Sequence, residues 1–547
     1  MNINPITRLD YPDPDVIRVG EFYYMVSTTM YFFPGGEILR SRDLVHWEHL
    51  SYIYDSLDDT PGQRLEGTEN IYGQGMWAAC IRFHQGLFYV CFVANDTGKA
   101  YLYTASDPAG PWQRRPIQGF YHDCSLLFDQ DGRVYISYGN RDIRITELKE
   151  DLSGPKLGGL DRVVVSDRGN PNLGYEGSHL YCINEKYYLF LIHSRRDRWR
   201  RTQACFTADS LEGEFTGGDV LDDDMGYWDQ GVAQGGIVDT PEGHWYAVLF
   251  QDRGAVGRIP VLVPMRWENG FLVLGENGRI PESFPVPETV PAAPLVSSDD
   301  FTTSGDAQTH GTFGLKSCWQ FNHQPELSLT KLDRERGTWS VTTGKLCSDV
   351  TQAKNTLTHR MLFPRCAGEV TVSAASLREG DVAGLCVLQS CYGLIGITRY
   401  SDGFRLTVRT RDQDETSQPV QLSPEREWES IPWESSQVQL RVEVDFNQRK
   451  DQAAFFYRAS GSENWTQLGP VHKLYFRLDH FTGCRFALFN YATKEAGGTA
   501  TFSHFVYDPQ VCAKKFPLME SKGEIHMDNF TFYAPTYFSF GMRTRQS

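Results

Sequence analysis

Three acidic side chains in the first third of the chain have neighbours that suit acid–base chemistry. Asp13 lies between two prolines in YPDPD, Asp123 lies in YHDCSLLF, and Glu176 lies between an aromatic residue and a glycine in GYEGSHLY. Because proline favours extended geometry in the residue before it, we expect the Asp13 carboxylate to be held rigidly in an extended segment. Hydrolysis of a glycosidic bond needs two carboxyl groups, one protonated and one ionised.

Each of these acids, taken alone, also has an ordinary structural explanation. PDP is a common turn sequence, Asp123 could cap a turn, and Glu176 could be a surface acid. The spacing does not assign roles within the trio. What favours a functional site is that all three acids occupy the same phase of a repeat.

A short pattern recurs five times between residues 20 and 250. A turn is followed by paired aromatic residues and an apolar run, and the central tyrosines are spaced by 65, 46, 53 and 58 residues. A repeat of this length, rich in β-forming and turn residues, is typical of propeller blades. Five copies predict five blades, centred on Tyr24, Tyr89, Tyr135, Tyr188 and Tyr246.

Counting back 12 residues from the last four tyrosines, and 11 from the first, gives the position that opens the inner strand of each blade. Strand starts of one kind form a ring at one mouth of the central channel. Unpaired carboxylates are expensive to bury, so a ring with three of them and a tryptophan predicts a sugar-binding pit rather than a core. The ring consists of Asp13, Trp77, Asp123, Glu176 and Gln234.

Composition excludes some classes of binding partner. The 547 residues carry 53 basic and 69 acidic side chains, a formal charge of −16. This charge argues against a nucleic-acid partner, which would need clustered Lys and Arg. The basic run Arg195–Arg201 is the exception, and we interpret it as a solvated loop. No apolar run is long enough to span a membrane, so we expect no membrane partner.

The compartment is expected to be the cytoplasm. The amino terminus, MNINPITRLDYPDPD, has no apolar stretch that would act as a signal peptide, although a leader removed in cloning would leave the same sequence. The 12 cysteines form no CxxC pair, and several lie inside apolar strands, where free thiols are usual.

The rest of the chain predicts a second β domain behind a linker. Residues 1–280 contain the repeats, and residues 281–298 contain five prolines with little apolar periodicity, which indicates an extended linker. Short alternating strands without the repeat predict a β-sandwich at 299–508. The sequence assigns no role to the tail at 509–547. The predicted fold is therefore all-β, a five-bladed β-propeller followed by a C-terminal β-sandwich.

The motifs that carry these residues resemble glycoside hydrolase family 43, which comprises five-bladed β-xylosidases and α-L-arabinofuranosidases. The similarity covers the whole propeller, and DDF at 299–301 resembles the start of the sandwich in two-domain members. The matching segments, in order, are YPDPDVIRVGEFYYMVST, GMWAACIRF, HDCSLLFDQDGRVY, EGSHLY, GGIVDTPEGHWY and GAVGRIPVLVPMRW.

The resemblance implies an inverting mechanism with defined roles for the acids. Asp13 matches the general base, Glu176 the general acid, and Asp123 the aspartate that tunes and positions the acid. Arg258 matches an arginine that contacts the bound sugar. An ion pair within the ring is the structural alternative for Arg258, and the two roles are compatible.

The resemblance also implies the walls of the pocket. Trp77 would line the subsite for the non-reducing sugar, Met30 and Phe32 match apolar lining residues, and Phe481, in HFTG, matches an aromatic on a sandwich loop that closes the pocket. Core packing is the alternative for Met30, Phe32 and Phe481. Many members have a histidine where this chain has Gln234, and that histidine helps hold a channel cation, often calcium. Glutamine permits calcium without ensuring it, and the hydrolysis itself requires no cofactor.

The sequence thus predicts an exo-acting inverting glycosidase that releases xylose from short xylo-oligosaccharides, with arabinose released from α-L-arabinofuranosides. Two other classes stay open. One is a retaining five-bladed fructan-type hydrolase, in which an early aspartate is the nucleophile. The other is a sugar-binding propeller without catalysis. The sequence leaves the oligomeric state open.

Overall fold

The computed structural model describes residues 3–303 and 313–511, and these residues are almost entirely β-structure. In the propeller the strands are, in chain order, β1 (Asp15–Val19), β2 (Phe22–Ser27), β3 (Phe32–Phe33), β4 (Gly35–Ser41), β5 (Trp47–Tyr54), β6 (Cys80–His84), β7 (Leu87–Ala94), β8 (Lys99–Ala105), β9 (Gln113–Arg115), β10 (Ser125–Phe128), β11 (Val134–Tyr138), β12 (Asp142–Leu148), β13 (Asp161–Ser166), β14 (Glu176–Ile183), β15 (Lys186–Ser194), β16 (Arg201–Ala208), β17 (Thr216–Leu221), β18 (Val232–Asp239), β19 (Trp245–Asp252), β20 (Arg258–Glu268) and β21 (Phe271–Leu274).

Apart from β3, these strands form five antiparallel four-stranded sheets, so the predicted five-bladed propeller is confirmed. The blades are β1-β2-β4-β5, then β6 to β9, β10 to β13, β14 to β17 and β18 to β21. Each repeat tyrosine lies on the second strand of its blade. Tyr24 pairs with Ile17, and Tyr188 pairs with Tyr181, at equivalent positions of the first hairpin.

Apolar clusters between neighbouring blades hold the ring together. Blades 1 and 2, 2 and 3, 3 and 4, 4 and 5, and 5 and 1 each share one buried cluster. The pairing of blade 5 with blade 1, through Val16 and Leu39 against Val248 and Leu262, closes the circle. Burial of this apolar surface is what fixes the inner strands relative to one another.

The amino-terminal segment reinforces the closure and leads directly to Asp13. The amide of Ile6 donates to Pro260 O at 3.1 Å, and that of Tyr11 donates to Arg258 O at 3.0 Å. The segment therefore lies along the first half of β20 before the chain enters β1. This arrangement brings Asp13, the first predicted acid, next to the last blade.

The second domain is a β-sandwich of two large antiparallel sheets, as expected. Its strands are β22 (Trp319–Asn322), β23 (Thr330–Asp333), β24 (Thr338–Thr342), β25 (Leu357–Arg360), β26 (Arg365–Ser376), β27 (Asp381–Leu388), β28 (Gly393–Tyr400), β29 (Gly403–Thr410), β30 (Gln413–Asp414), β31 (Gln421–Leu422), β32 (Arg426–Trp433), β33 (Gln437–Asp445), β34 (Gln452–Arg458), β35 (Thr466–Gln467), β36 (His472–Lys473), β37 (Arg485–Ala492) and β38 (Thr499–Asp508).

One sheet has the order β3-β22-β25-β37-β27-β28-β29-β32, and the other has the order β23-β24-β38-β26-β33-β34-β35, with β36 also pairing with β34. Strands β30 and β31 form a separate ribbon. Helical structure is limited, among the described residues, to four short 3₁₀ turns at Gly254–Val256, Leu327–Leu329, Val350–Gln352 and Asn447–Arg449.

The two domains are joined by more than the linker. Strand β3 comes from a propeller loop, yet it pairs with β22 of the sandwich, with Phe33 opposite Phe321. Beside it, the guanidinium of Arg360 lies 2.7 Å from the carboxylate of Glu37, and both side chains are buried. Arg360 Nε also donates to the carbonyl of Asp10 at 3.0 Å. The sandwich is therefore fixed against the segment before β1 and against β3 and the start of β4.

The domain limits at 280 and 298 stay predictions. The last blade strand ends at Leu274 and the first sandwich strand begins at Trp319. Val290 in the predicted linker donates its amide to Asp43 of blade 1 at 2.8 Å. Residues 512–547 of the predicted tail lie outside the described residues. Within the described parts of the chain, no helix is long and apolar enough to cross a membrane, and the predicted compartment stays a prediction.

Replacing Arg360 by Ala should destabilise the protein by about 3–5 kcal/mol, because the carboxylate of Glu37 would stay buried without its guanidinium partner. Since this pair joins the domains, we also expect calorimetric unfolding of the variant to separate into two transitions. Lys494→Ala removes an exposed ion pair with Glu379 and serves as the control, with no measurable change expected. An unchanged calorimetric profile for Arg360→Ala would contradict the structural role of this pair.

Candidate active site

Asp13 lies at the channel mouth, where hydrogen bonds hold both of its carboxylate oxygens. Thr28 Oγ1 donates to Oδ2 at 2.7 Å, and Arg258 Nη1 lies 2.9 Å from Oδ1. The Asp13 side chain is only 8% exposed, and that of Arg258 only 3%. A carboxylate in this setting is oriented by two donors and neutralised by one buried cation.

The backbone at Asp13 differs from the expectation of an extended Pro-Asp-Pro segment. Asp13 has φ 52°, in the left-handed region that non-glycine residues rarely adopt. Neighbouring carbonyls are fixed by other bonds: Ser27 Oγ donates to Pro12 O at 2.6 Å, and Gly236 N donates to Pro14 O at 3.0 Å. Contacts with blades 1 and 5 therefore override the local preference, while the carboxylate is still held rigidly.

Asp123 lies beside Glu176 and has the same unusual backbone, with φ 48°. Its Oδ2 accepts hydrogen bonds from Gly177 N at 3.1 Å and from Gln234 Nε2 at 3.4 Å. Burial, together with the charges of Glu176 and Asp13, raises the pKa of Asp123 to about 7 against the opposing effect of His122. This influence of both other acids shows that the three predicted carboxylates share one pit.

Glu176 is the first residue of β14, and a bulge directs its side chain. The register with β15 shifts between Glu176 and His179, and Gly177 has φ 61°. A Cβ on Gly177 would lie 2.8 Å from Gln234 side-chain atoms, so only glycine fits there without displacement. Glu176 Oε2 accepts a hydrogen bond from Asn140 Nδ2 and lies 3.4 Å from His122 Nε2.

His122 and Asn140 were not among the predicted site residues. Burial alone would lower the pKa of His122, but the charge of Asp123 and the hydrogen bond and charge of Glu176 outweigh it and raise the pKa to about 9. The signal for His122 was its place directly before Asp123 in the motif. Asn140 lies in a turn of blade 3, and nothing in its local sequence indicated a contact with blade 4.

Arg258, the first residue of β20, joins the acids to the sandwich. Its guanidinium lies 4.4 Å from the ring centre of Phe481, and Nη2 donates to Phe481 O at 3.4 Å. Its backbone amide donates to Asp10 Oδ1 at 2.7 Å, while Asp10 Oδ2 accepts from Gly483 N at 2.9 Å. Asp10, which sequence reasoning missed, thus ties β20 to the loop that carries Phe481. The predicted ion pair of Arg258 exists, and a sugar contact stays a prediction.

Trp77 and Phe481 form an aromatic side of the pit. Their ring centres are 5.5 Å apart, and Trp77 lies 5.9 Å from the ring of His122. Met30 and Phe32 are buried, at 1% and 2% exposure, within the cluster shared by blades 1 and 2. The core packing considered for these two residues is present, and their role in lining a sugar pocket stays a prediction.

Two polar side chains of the channel, Gln234 and Asp15, are already engaged with other protein groups. Calcium takes six to eight oxygen ligands. Gln234 turns its amide nitrogen, not its oxygen, towards Asp123. Asp15, the first residue of β1, already has Arg82 at 2.6 Å and His179 at 3.1 Å on its two oxygens. No step below is assigned to a metal, and a channel cation stays a prediction.

Among the described residues, one group has ligand atoms close enough for an ion: those of His122, Asp123 and Glu176 lie within 4.8 Å of one another. An imidazole and two carboxylates fall short of a calcium site. The hydrogen bond between His122 and Glu176 and the 3.6 Å contact between His122 and Asp123 account for their spacing without an ion. The basic run expected to be a solvated loop is paired with acids; Arg200, for example, lies 2.5 Å from Asp222 and 2.6 Å from Asp229.

Two family models match the chain and divide it as the structure does. The model for glycosyl hydrolases family 43 matches residues 3–272, which hold the propeller. The model for a β-xylosidase C-terminal concanavalin A-like domain matches residues 312–508, which hold the sandwich.

Similar proteins share both domains. A putative β-xylosidase of Xylanibacter ruminicola is 32% identical over 386 residues, covering 68% of this chain and 69% of its own. The structure of a bifunctional GH43-CE protein of Bacteroides eggerthii is 40% identical, with a TM-score of 0.85; it covers 93% of this chain, which spans 64% of that protein. An engineered GH43 hydrolase described as showing endo-xylanase and exo-arabinofuranosidase activity is 27% identical, with a TM-score of 0.81, covering 92% of this chain and 99% of its own.

The raised pKa of Asp123 makes stability depend on pH with a definite sign. Between the usual 3.8 and about 7, the folded protein keeps a proton on Asp123 that the unfolded chain has released. The free energy of unfolding therefore falls as pH rises through this window. Asp123→Asn cannot ionise, so its Tm should fall less than that of the wild type between about pH 4 and about pH 7.

Asp209→Asn is the matched control, since the Asp209 side chain is 97% exposed, and it should keep the wild-type slope of Tm against pH. An Asp123→Asn variant with the same slope as the wild type would rule out a raised pKa for Asp123.

Proposed function

The chain belongs to glycosyl hydrolase family 43 and is a glycosidase, and from this premise we propose that it is an exo-acting, inverting enzyme. Its proposed substrates are short xylo-oligosaccharides, from which it releases xylose, and α-L-arabinofuranosides, from which it releases arabinose. The β-xylosidase and exo-arabinofuranosidase activities in the descriptions of similar proteins support both substrates. Xylopyranose and arabinofuranose can present similar hydroxyl groups to one pit.

The observation that carries this proposal is the different environment of the two outer acids. Asp13 is the partner of a buried guanidinium, so it is suited to act as an ionised base. Glu176 has two donors on Oε2, which leaves Oε1 to carry a proton. Asp123 lies close to Glu176, and the negative charges of Glu176 and Asp13 both raise its pKa. An acid and a base with separate environments are what glycoside hydrolysis needs.

In the proposed reaction, Asp13 accepts a proton from a water molecule while that water attacks the anomeric carbon. Glu176 donates its proton to the glycosidic oxygen, and the bond to the leaving sugar breaks. Attack from the face opposite the leaving group inverts the configuration, and this requires roughly 6.5–9.5 Å between the carboxyl groups for the water to fit. Arg258 would hold sugar hydroxyls beside Asp13 through its fixed donors.

The sandwich supports exo action, because it contributes a wall to the pit. Phe481 packs against both Trp77 and Arg258 and comes from the loop that Asp10 fastens to β20. A pit closed on this side would accept the end of a chain rather than its middle. Contacts of Trp77, Arg258 and Phe481 with the bound sugar are part of this proposal.

Glu176→Ala should slow hydrolysis of xylobiose by about 100- to 10,000-fold, because the alcohol leaving group needs a proton. Aryl xylosides with activated leaving groups should be slowed far less, since they leave without protonation. Steady-state kinetics on both substrates measure this ratio. In Asp13→Ala, by contrast, activity on both substrates should be lost together. Equal losses of activity on the two substrates in Glu176→Ala would contradict its role as the acid.

The stereochemical course tests the mechanism directly. Proton NMR soon after wild-type enzyme is mixed with an aryl β-xyloside should show α-xylose as the first sugar product, because inversion changes the β-linkage to the α-anomer and no second reducing sugar is released. β-Xylose as the first product would favour the retaining alternative. Tight binding of xylobiose without turnover of any xyloside or arabinofuranoside would favour the sugar-binding propeller.

A further inference from the structure

His122 lies between two of the acids without a role in the proposed reaction. Its Nε2 is 3.4 Å from Glu176 Oε2 and 3.6 Å from Asp123 Oδ1, and its side chain is only 15% exposed. The main chain at this point is fixed by a hydrogen bond of 2.9 Å from Gly139 N to His122 O. The ring of Trp77 lies 5.9 Å from the imidazole. These contacts leave the imidazole aimed at the acids rather than at solvent.

Two donors converge on a single oxygen of Glu176. Asn140 Nδ2 and His122 Nε2 both approach Oε2. In a protonated carboxyl group the carbonyl oxygen accepts hydrogen bonds, while the other oxygen carries the proton. Donors on Oε2 therefore favour the proton on Oε1, the oxygen that these donors leave free.

We propose that His122 is a positioning residue for the general acid, which together with Asn140 holds Glu176 Oε2 and thereby directs the proton on Oε1 to the glycosidic oxygen. This inference rests on the proposed function. Once Glu176 has given up its proton, a new negative charge forms in the buried pit, and a donor already in place stabilises it without reorganisation.

The charges around His122 favour its cationic form. Asp123 is its neighbour in sequence, Glu176 faces it from β14, and Asp13 faces it from the segment before β1. These three outweigh burial and raise the pKa of His122 to about 9. The buried cation Arg201, which interacts with Glu176 and Asp13, is itself paired with Asp252 at 2.6 Å. The charge that forms on Glu176 when it releases its proton is one of those that favour the imidazolium, so His122 is cationic when the new carboxylate needs a donor.

The test replaces His122 by Phe, which fills the space without a donor, and by Gln, which keeps a neutral donor. Relative to the wild type, His122→Phe should lower kcat/KM for xylobiose by about 10- to 100-fold, as expected for a lost charge-assisted hydrogen bond. An aryl xyloside with an activated leaving group should lose less than about threefold, since it does not need the acid. His122→Gln should recover part of the loss on xylobiose.

A pH profile separates positioning from a merely structural role. Removing the imidazolium takes away the charge that favours ionised Glu176, so the alkaline limb of kcat/KM for xylobiose should move to higher pH in both variants. His84→Phe is the matched control, because His84, at the far end of β6 from the acids, stacks on Phe128 of blade 3, and this variant should match the wild type. Asn140→Ala combined with His122→Phe should approach the selectivity of Glu176→Ala.

Equal losses on both substrates with an unshifted pH profile would overturn the proposal, and so would unchanged kinetics in His122→Phe. Wild-type activity that is abolished by EDTA and restored by a divalent cation, with His122→Phe unresponsive, would assign these side chains to a metal and also overturn it. Wild-type enzyme is assayed first: if it turns over neither substrate, the proposed function itself fails, and a failure of the His122 inference alone is recognised by normal wild-type turnover.

Discussion

The structure depends on the burial of three carboxyl groups in one pit. Taking an ionised carboxylate out of water costs several kcal/mol unless a cation or hydrogen-bond donors replace the solvent. In this protein, donors from the chain replace water at each acid. Arg258 and Thr28 contact Asp13. Gly177 N and Gln234 donate to Asp123, and His122 and Asn140 donate to Glu176. These donors come from different blades. The acids can therefore be stable together only when the ring of blades is closed.

The need to hold these acids in the pit also explains why unusual backbone conformations cluster at the mouth of the propeller channel. Asp13, Asp123 and Gln234 all have φ between 48° and 56°, and they occupy equivalent places in three blades. A left-handed residue at the start of an inner strand turns its side chain into the channel, and each one costs of order 1–3 kcal/mol. The apolar clusters between blades offset this cost, because they fix the strands on either side. Strain at the site is thus supported by packing elsewhere in the propeller.

The repeat was sufficient to predict the fold and the ring of acids, because equivalent phases of a propeller repeat are equivalent in space. The repeat was not sufficient to predict site residues that occupy other positions of the repeat. His122 is one position away from it, and Asn140 reaches Glu176 from a turn of the preceding blade. The left-handed conformation of Asp13 could not be predicted either, since local preference in Pro-Asp-Pro favours extended geometry and the contacts that override it come from residues about 15 and 220 positions away.

The contacts of Asp10 show that the sandwich forms part of the site. Its carboxylate accepts from Arg258 N with one oxygen and from Gly483 N with the other, and a Cβ on Gly257 would approach Asp10 Oδ1 to 2.3 Å. The start of β20 and the Phe481 loop must therefore move together. Since Arg258 is the cation of Asp13, the position of the second domain is coupled to the charge balance of the pit. A propeller without its sandwich would keep the three acids but lose Phe481, whose carbonyl and ring hold the Arg258 guanidinium beside Asp13.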